Sequence, residues 1–183
     1  MFKLKDHVIY PGHGVALVEA IIKKVVAGTT IDFLKLTFVF KDMTILVPLY
    51  NAQSIGIRYP CREREIEAVM SELAKRPERK LAGVDFTPSG WNRRNRDYQV
   101  KILSGNLLEI ARIYRDLMYV AQQKDLSFGE RAVLQATEDL ILQEIQIIRN
   151  EKREVIMQEL RSPFKRFEFH DRSFLQQETS SAI

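Results

Sequence analysis

The side chains best placed to do chemistry in this 183-residue chain lie in one stretch, Ser89-Gly90-Trp91-Asn92-Arg93-Arg94-Asn95-Arg96. Trp91, the only tryptophan, stands at a predicted helix start, with Arg93, Arg94 and Arg96 in the following turns and Lys101 further along. At helical spacing these cations cannot all enter a core. Guanidinium forks and the free amides of a helix N-terminus suit phosphate oxygens, and a flat apolar ring can wedge into a minor groove beside an unstacked base step. The segment is therefore a candidate nucleic-acid grip. A lone tryptophan also fits a core, and a basic helix face also fits simple solvation, so the composition leaves both readings open. Zinc-finger spacing, a basic zipper and a helix-turn-helix are all missing from the sequence, which points to backbone and groove-shape contacts without a base-reading code.

Other reactive side chains do not assemble into a catalytic pattern. His7, His13 and His170 fall on a strand, a turn and the C-terminal stretch, with no spacing that would gather them round a metal or pair one with Cys61. No glycine set forms a phosphate loop between a strand and a helix. Glu63, Glu65 and Glu67 alternate with Arg62 and Arg64 in the first turns of a helix, where the helix dipole and solvent account for them. The expectation is a binding protein, not an enzyme, with no cofactor and no metal.

These residues need a scaffold. Hydrophobic residues make up 45% and charged residues 28% of the chain, enough to bury a core and too apolar for disorder throughout. A formal net charge of +4 and a pI near 9.2 permit an anionic partner without specifying one. The single cysteine and the absence of an apolar signal stretch suggest a reducing cytoplasm. Each apolar run, Ile31 to Phe40 included, is shorter than the roughly 20 residues that span a bilayer.

Two periodicities divide the chain. From Lys5 to Pro48 the pattern is that of strands: Leu34, Leu36, Phe38 and Phe40 alternate with Lys35 and Thr37, and turns are predicted at Pro11-Gly12-His13-Gly14, Ala27-Gly28 and Lys41-Asp42. Four or five short strands suggest a small Tudor- or SH3-like barrel. Beyond Pro60 the period is helical. Ile66, Val69, Met70 and Leu73 form a stripe stopped by Arg76-Pro77; a helix follows from Ser89-Gly90 to about Leu103, and Asn106 with Glu109 reads as a capping box for the next. That helix carries Leu107, Ile110, Tyr114, Leu117 and Met118. Ser127 with Glu130 opens a long helix with Leu134, Ile141, Ile145 and Ile148 on one face, and Ser162-Pro163 is expected to end regular structure. The predicted class is α+β: residues 1–60 a β-barrel module, 61–162 an all-α module, and 163–183 a flexible tail.

The opening Phe2 to Gly14, with Val18-Glu19, then Val47-Pro48, Asn51-Ala52 and Gly56-Ile57-Arg58, resembles the start of the CarD/CdnL family, whose N-terminal module is related to one in transcription-repair coupling factors. The likeness returns at Trp91-Asn92-Arg93-Arg94, Arg115-Asp116-Leu117 and Leu126 to Arg131, in order and in both halves. It implies a Tudor-like domain that binds the RNA polymerase β subunit, and a helical domain that stabilises the promoter open complex at the upstream edge of the bubble. Trp91 matches the family's minor-groove wedge, and Arg93, Arg94, Arg96 and Arg131 match its basic DNA-binding positions. Lys24 and Leu46 stand where relatives carry polymerase-contacting arginines; lysine keeps the charge but loses the bidentate fork, and leucine loses the ionic contact. The resemblance further implies a monomer located in the cytoplasm and on the nucleoid through polymerase. The rival expectation is a protein-binding adaptor whose helices do not touch DNA.

Overall fold

The computed structural model describes residues 2–75 and 87–165. The predicted stop at Arg76-Pro77 and the stretch containing His170 lie outside the described residues. The N-terminal half is an antiparallel meander, β1 (His7–Tyr10), β2 (Gly14–Val26), β3 (Thr29–Phe38) and β4 (Thr44–Pro48), paired in that order. As the alternation predicts, Leu34, Leu36 and Phe38 are buried while Lys35 and Thr37 face outward. Phe40 does not continue the stripe: β3 ends at Phe38, Val39 and Phe40 form the turn to β4, and Phe40 is 40% exposed. The β2–β3 register shifts between Val18 and Ala20, a bulge at Glu19 that bends the strand. The sheet thereby curls into an open half-barrel round Val8, Val18, Leu34, Leu36 and Val47. Ala27 (φ 49°) and Gly28 (φ 81°) both take the left-handed conformation that a two-residue hairpin turn requires.

A short helix, α1 (Ala52–Ile55), ends at Gly56, and the chain returns to β1, where Ile9 and Arg58 exchange backbone hydrogen bonds of 2.8 and 3.2 Å. The helical half then follows as α2 (Glu63–Leu73), α3 (Pro88–Leu103), α4 (Leu107–Gln123), α5 (Phe128–Arg149) and α6 (Arg153–Arg161). The predicted stripes face the core: Ile66, Val69 and Leu73 on α2 are buried and Met70 half-buried beside them, and Leu107, Ile110, Tyr114, Leu117 and Met118 on α4 are buried. The expected single long helix is two. Asn150 takes φ 51° at the end of α5, a left-handed conformation that asparagine tolerates, and α6 restarts three residues on. Glu138 ties the pieces together, accepting from the Tyr114 hydroxyl at 2.8 Å and from Arg161 at 2.8 and 2.9 Å. Phe164, in the stretch read as tail, is buried edge-on against Tyr114 and Tyr119. Among the described residues no helix is long and apolar enough to cross a membrane.

The halves meet where the Pro11-Gly12-His13-Gly14 turn presses on α5 and the α3–α4 corner. Gly14 adopts φ +100°, and a Cβ there would fall 2.1 Å from Oε1 of Gln143, which accepts from the Val15 amide at 3.4 Å. Arg58 spans the junction. Its backbone belongs to the sheet, but its guanidinium donates to both oxygens of Glu144 on α5 (2.6 and 2.8 Å) and twice to the Gly105 carbonyl (2.9 and 2.7 Å). Burial works against the Arg58 charge, but the Glu144 hydrogen bonds and carboxylate outweigh it and raise the guanidinium pKa.

Candidate nucleic-acid interface

Local sequence sets the start of α3. Thr87 accepts from the Gly90 amide at 3.2 Å, and Pro88 occupies the first helical turn, where its missing N–H costs nothing. This Thr-Pro pair starts the helix one step earlier than the predicted Ser89-Gly90. With about 100° per residue, Trp91, Arg94 and Tyr98 share one face of α3, and Arg93 and Arg96 lie roughly 140–200° away. Burial agrees: Trp91, Arg94 and Tyr98 are half-buried, Arg93 and Arg96 exposed. The predicted cluster is thus split.

Trp91 is neither enclosed nor free. Its indole packs against Gly129, where a Cβ would stand 3.0 Å from Cζ2 and 3.1 Å from Nε1. Tyr98 meets it edge-on at 6.4 Å between centroids, and the Arg94 guanidinium lies 6.0 Å from the ring centre. Arg94 also reaches Glu130 at 3.5 Å, so much of its charge is engaged within the protein.

The start of α5 completes this end of the molecule. Ser127 caps the helix with the predicted box: its hydroxyl accepts from the Glu130 amide (3.3 Å), and the Glu130 carboxylate accepts from the Ser127 amide (2.9 Å). Burial opposes ionisation of Glu130, but Lys124 at 2.6 Å and the Ser127 hydrogen bonds prevail and hold its carboxyl below the usual range. The one carboxylate buried beside Trp91 is therefore matched by Lys124 and Arg94. Arg131, one residue on, is exposed. The other predicted box is half made. Asn106 caps α4 by accepting from Leu108 and Glu109, but the Glu109 side chain turns to Lys101 and Arg112.

Lys24 and Leu46 lie on the sheet. Lys24 pairs with Ile31 and Leu46 with Lys35; Ile31 and Lys35 have the same parity along β3, so all four side chains stand on the outer face. Leu46 is 39% exposed on the edge strand β4. Beside it, Glu19 accepts from Thr37 (2.6 Å) and Lys35 (3.1 Å), contacts that lower its pKa in that order. Among the described residues no group of His, Cys, Asp or Glu is placed to hold a metal ion. Burial, then the Glu144 carboxylate, push the Cys61 thiol up to about 12, which leaves it protonated and unreactive.

Family models match both halves, the CarD-like/TRCF RID domain over residues 2–59 and the CarD C-terminal domain over residues 81–161. The chain belongs to the CarD family. It is 24% identical over 149 residues to the Bacillus subtilis (strain 168) protein YdeB, itself named a putative transcription factor; the match covers 81% of this chain and 93% of that one. In this CarD-family member the sequence reading missed two things. The Arg58–Glu144 junction escaped because residues 86 positions apart have no shared periodicity. Phe128 escaped because an apolar residue just after an N-cap reads as ordinary helix, yet it is 85% exposed.

Proposed function

We propose that this CarD-family protein is a transcription regulator that docks on the RNA polymerase β subunit through its sheet and stabilises the promoter open complex by gripping DNA at the upstream edge of the bubble. The observation that carries this reading is the seat of Trp91: a large ring held by Gly129, Arg94 and Tyr98 at a helix end bordered by Arg93, Arg96 and Arg131. Trp91 serves as the wedge, and Arg93, Arg96 and Arg131 hold phosphates. Arg94 props the indole and shares its charge between Glu130 and DNA. Residues 1–60 act as the docking module, with Lys24 and Leu46 on the contacting face and β4 offering its free edge; residues 61–162 act on DNA. The mechanism is differential binding: a wedge that fits only a locally unstacked step favours the opened duplex and slows its collapse. Tethering to polymerase raises local concentration, so modest DNA affinity suffices.

The test is co-purification with RNA polymerase, followed by promoter footprinting with and without the protein. Neutralising Arg93, Arg96 and Arg131 together should flatten the salt dependence of DNA binding by roughly 3 in log–log slope. No association with the β subunit, or an unchanged footprint, overturns the reading. The part burial of Trp91 and the Arg94–Glu130 pair favour a second reading, an adaptor that binds protein only. That adaptor would keep polymerase binding and leave promoter DNA unprotected.

A further inference from the structure

Phe128 is the most exposed large apolar side chain among the described residues, at 85%, and it sits at the end of the molecule that holds Trp91. The placement is fixed by neighbours. Gly129, one peptide away, is the seat of the indole, and the Ser127–Glu130 capping box holds the first turn of α5 in one conformation. Arg131 lies three residues on, which puts its Cβ about 5–6 Å from that of Phe128 on the same solvent face of the helix. Within the first turn of α5 the one carboxylate, Glu130, is buried and matched by Lys124 and Arg94, so it does not stand in solvent beside Phe128. An exposed phenyl beside an exposed guanidinium is the pair that single-stranded nucleic acid uses: the base stacks on the ring and the adjoining phosphate meets the cation.

We infer that Phe128 is a second aromatic contact, which stacks on an unpaired base of the strand that Trp91 helps to separate, with Arg131 on the neighbouring phosphate. The inference rests on the DNA-gripping reading above. It assigns the two rings different work. Trp91, packed against its own fold, props the duplex edge; Phe128, standing in solvent, captures a base once it is free. A second contact available only on opened DNA adds to the preference for the open form.

The experiment uses the full chain at low salt with two fluorescently labelled DNAs of matched sequence, a duplex and a fork with one unpaired arm carrying 2-aminopurine at successive positions. The wild type should bind the fork more tightly and change the emission of one 2-aminopurine position. Phe128→Ala should leave the thermal midpoint and duplex affinity unchanged, abolish that emission change, and weaken fork binding roughly five- to hundredfold, the cost of one lost base stack. Phe128→Tyr should restore both. If Phe128→Ala binds the fork like the wild type, or loses polymerase while keeping the fork, Phe128 is not a base contact, although Trp91 can still be the wedge. If the wild type binds neither DNA, the gripping reading falls and this inference with it.

Discussion

Removing Arg58 should cost more than removing any cation of the DNA-facing end, although its role is not to bind anything outside the protein. In the Arg58→Met variant the apolar stem survives, while four hydrogen bonds of 2.6 to 2.9 Å to Glu144 and Gly105 are lost. Glu144, whose side chain is 3% exposed, then keeps the Cys61 amide at 2.8 Å and the neighbouring Cys61 thiol, neither of which carries a positive charge. Breaking a buried pair by deleting one partner costs about 3–5 kcal/mol. The Arg58 side chain is itself 29% exposed, so water recovers part of the loss and about 3 kcal/mol is expected. Urea unfolding followed by circular dichroism at neutral pH measures it. The double variant Arg58→Met/Glu144→Gln removes the stranded charge but preserves an acceptor for the Cys61 amide, and should recover more than half of the loss. A single variant within about 0.5 kcal/mol of wild type, or a double variant no better than the single, would refute the assignment of Arg58 as the tie between the halves.

Four further outcomes follow from the same geometry. Gly14→Ala should destabilise by about 1–3 kcal/mol in thermal unfolding, because φ +100° strains any L side chain and the new Cβ meets Gln143. Gly129→Ala improves helix propensity but crowds the indole by a few tenths of an ångström. Folding should therefore be nearly unchanged, while the emission of Trp91, the only tryptophan, shifts and fork binding weakens. Cys61, with its thiol pushed up to about 12, should resist iodoacetamide at pH 8 until denaturant is added. Glu72 is held at about 2, chiefly by Lys75 and, against the cost of burial, by Arg112. Its folded pKa lies below the ordinary value, so its stabilisation is complete above about pH 4.5 and is lost as pH falls towards 2. Glu72→Gln should flatten the acid limb of the stability curve there.

Much of the fold could be read from the sequence because it is written in local periods. The β3 alternation, the α2 and α4 stripes and the Ser127–Glu130 box each need only a few neighbouring residues, and each appears where expected. What failed was non-local or conformationally exceptional. Asn150 ends α5 because one residue adopts a left-handed backbone, which apolar periodicity cannot signal. Glu109 abandons its capping role because Lys101, brought near by the α3–α4 corner, and Arg112, one turn on along α4, are better partners than a backbone amide. At the candidate site, the residue types of Ser89 to Arg96 identified the right helix end. Which arginine faces which way followed only from the helical phase once Trp91 was seated on α5.

That phase bears on how a wedge can work. A tryptophan on a mobile surface turn would lose rotamer freedom on entering a groove, and that entropy would subtract from affinity. Here Gly129, Tyr98 and Arg94 have already fixed the ring, so its ordering cost is met during folding. The same packing takes Arg94 out of free solution and leaves Arg93 and Arg96 on the opposite side of α3. A ring that is carried by α3 and packed on one side against Gly129 of α5 cannot move independently of either helix. The Arg58–Glu144 tie in turn couples α5 to the sheet. Under the proposed function, displacement of the docking face is therefore transmitted to the wedge through a stiff path. Loosening Arg58 should shorten open-complex lifetime even where polymerase affinity and DNA affinity, measured separately, are unchanged.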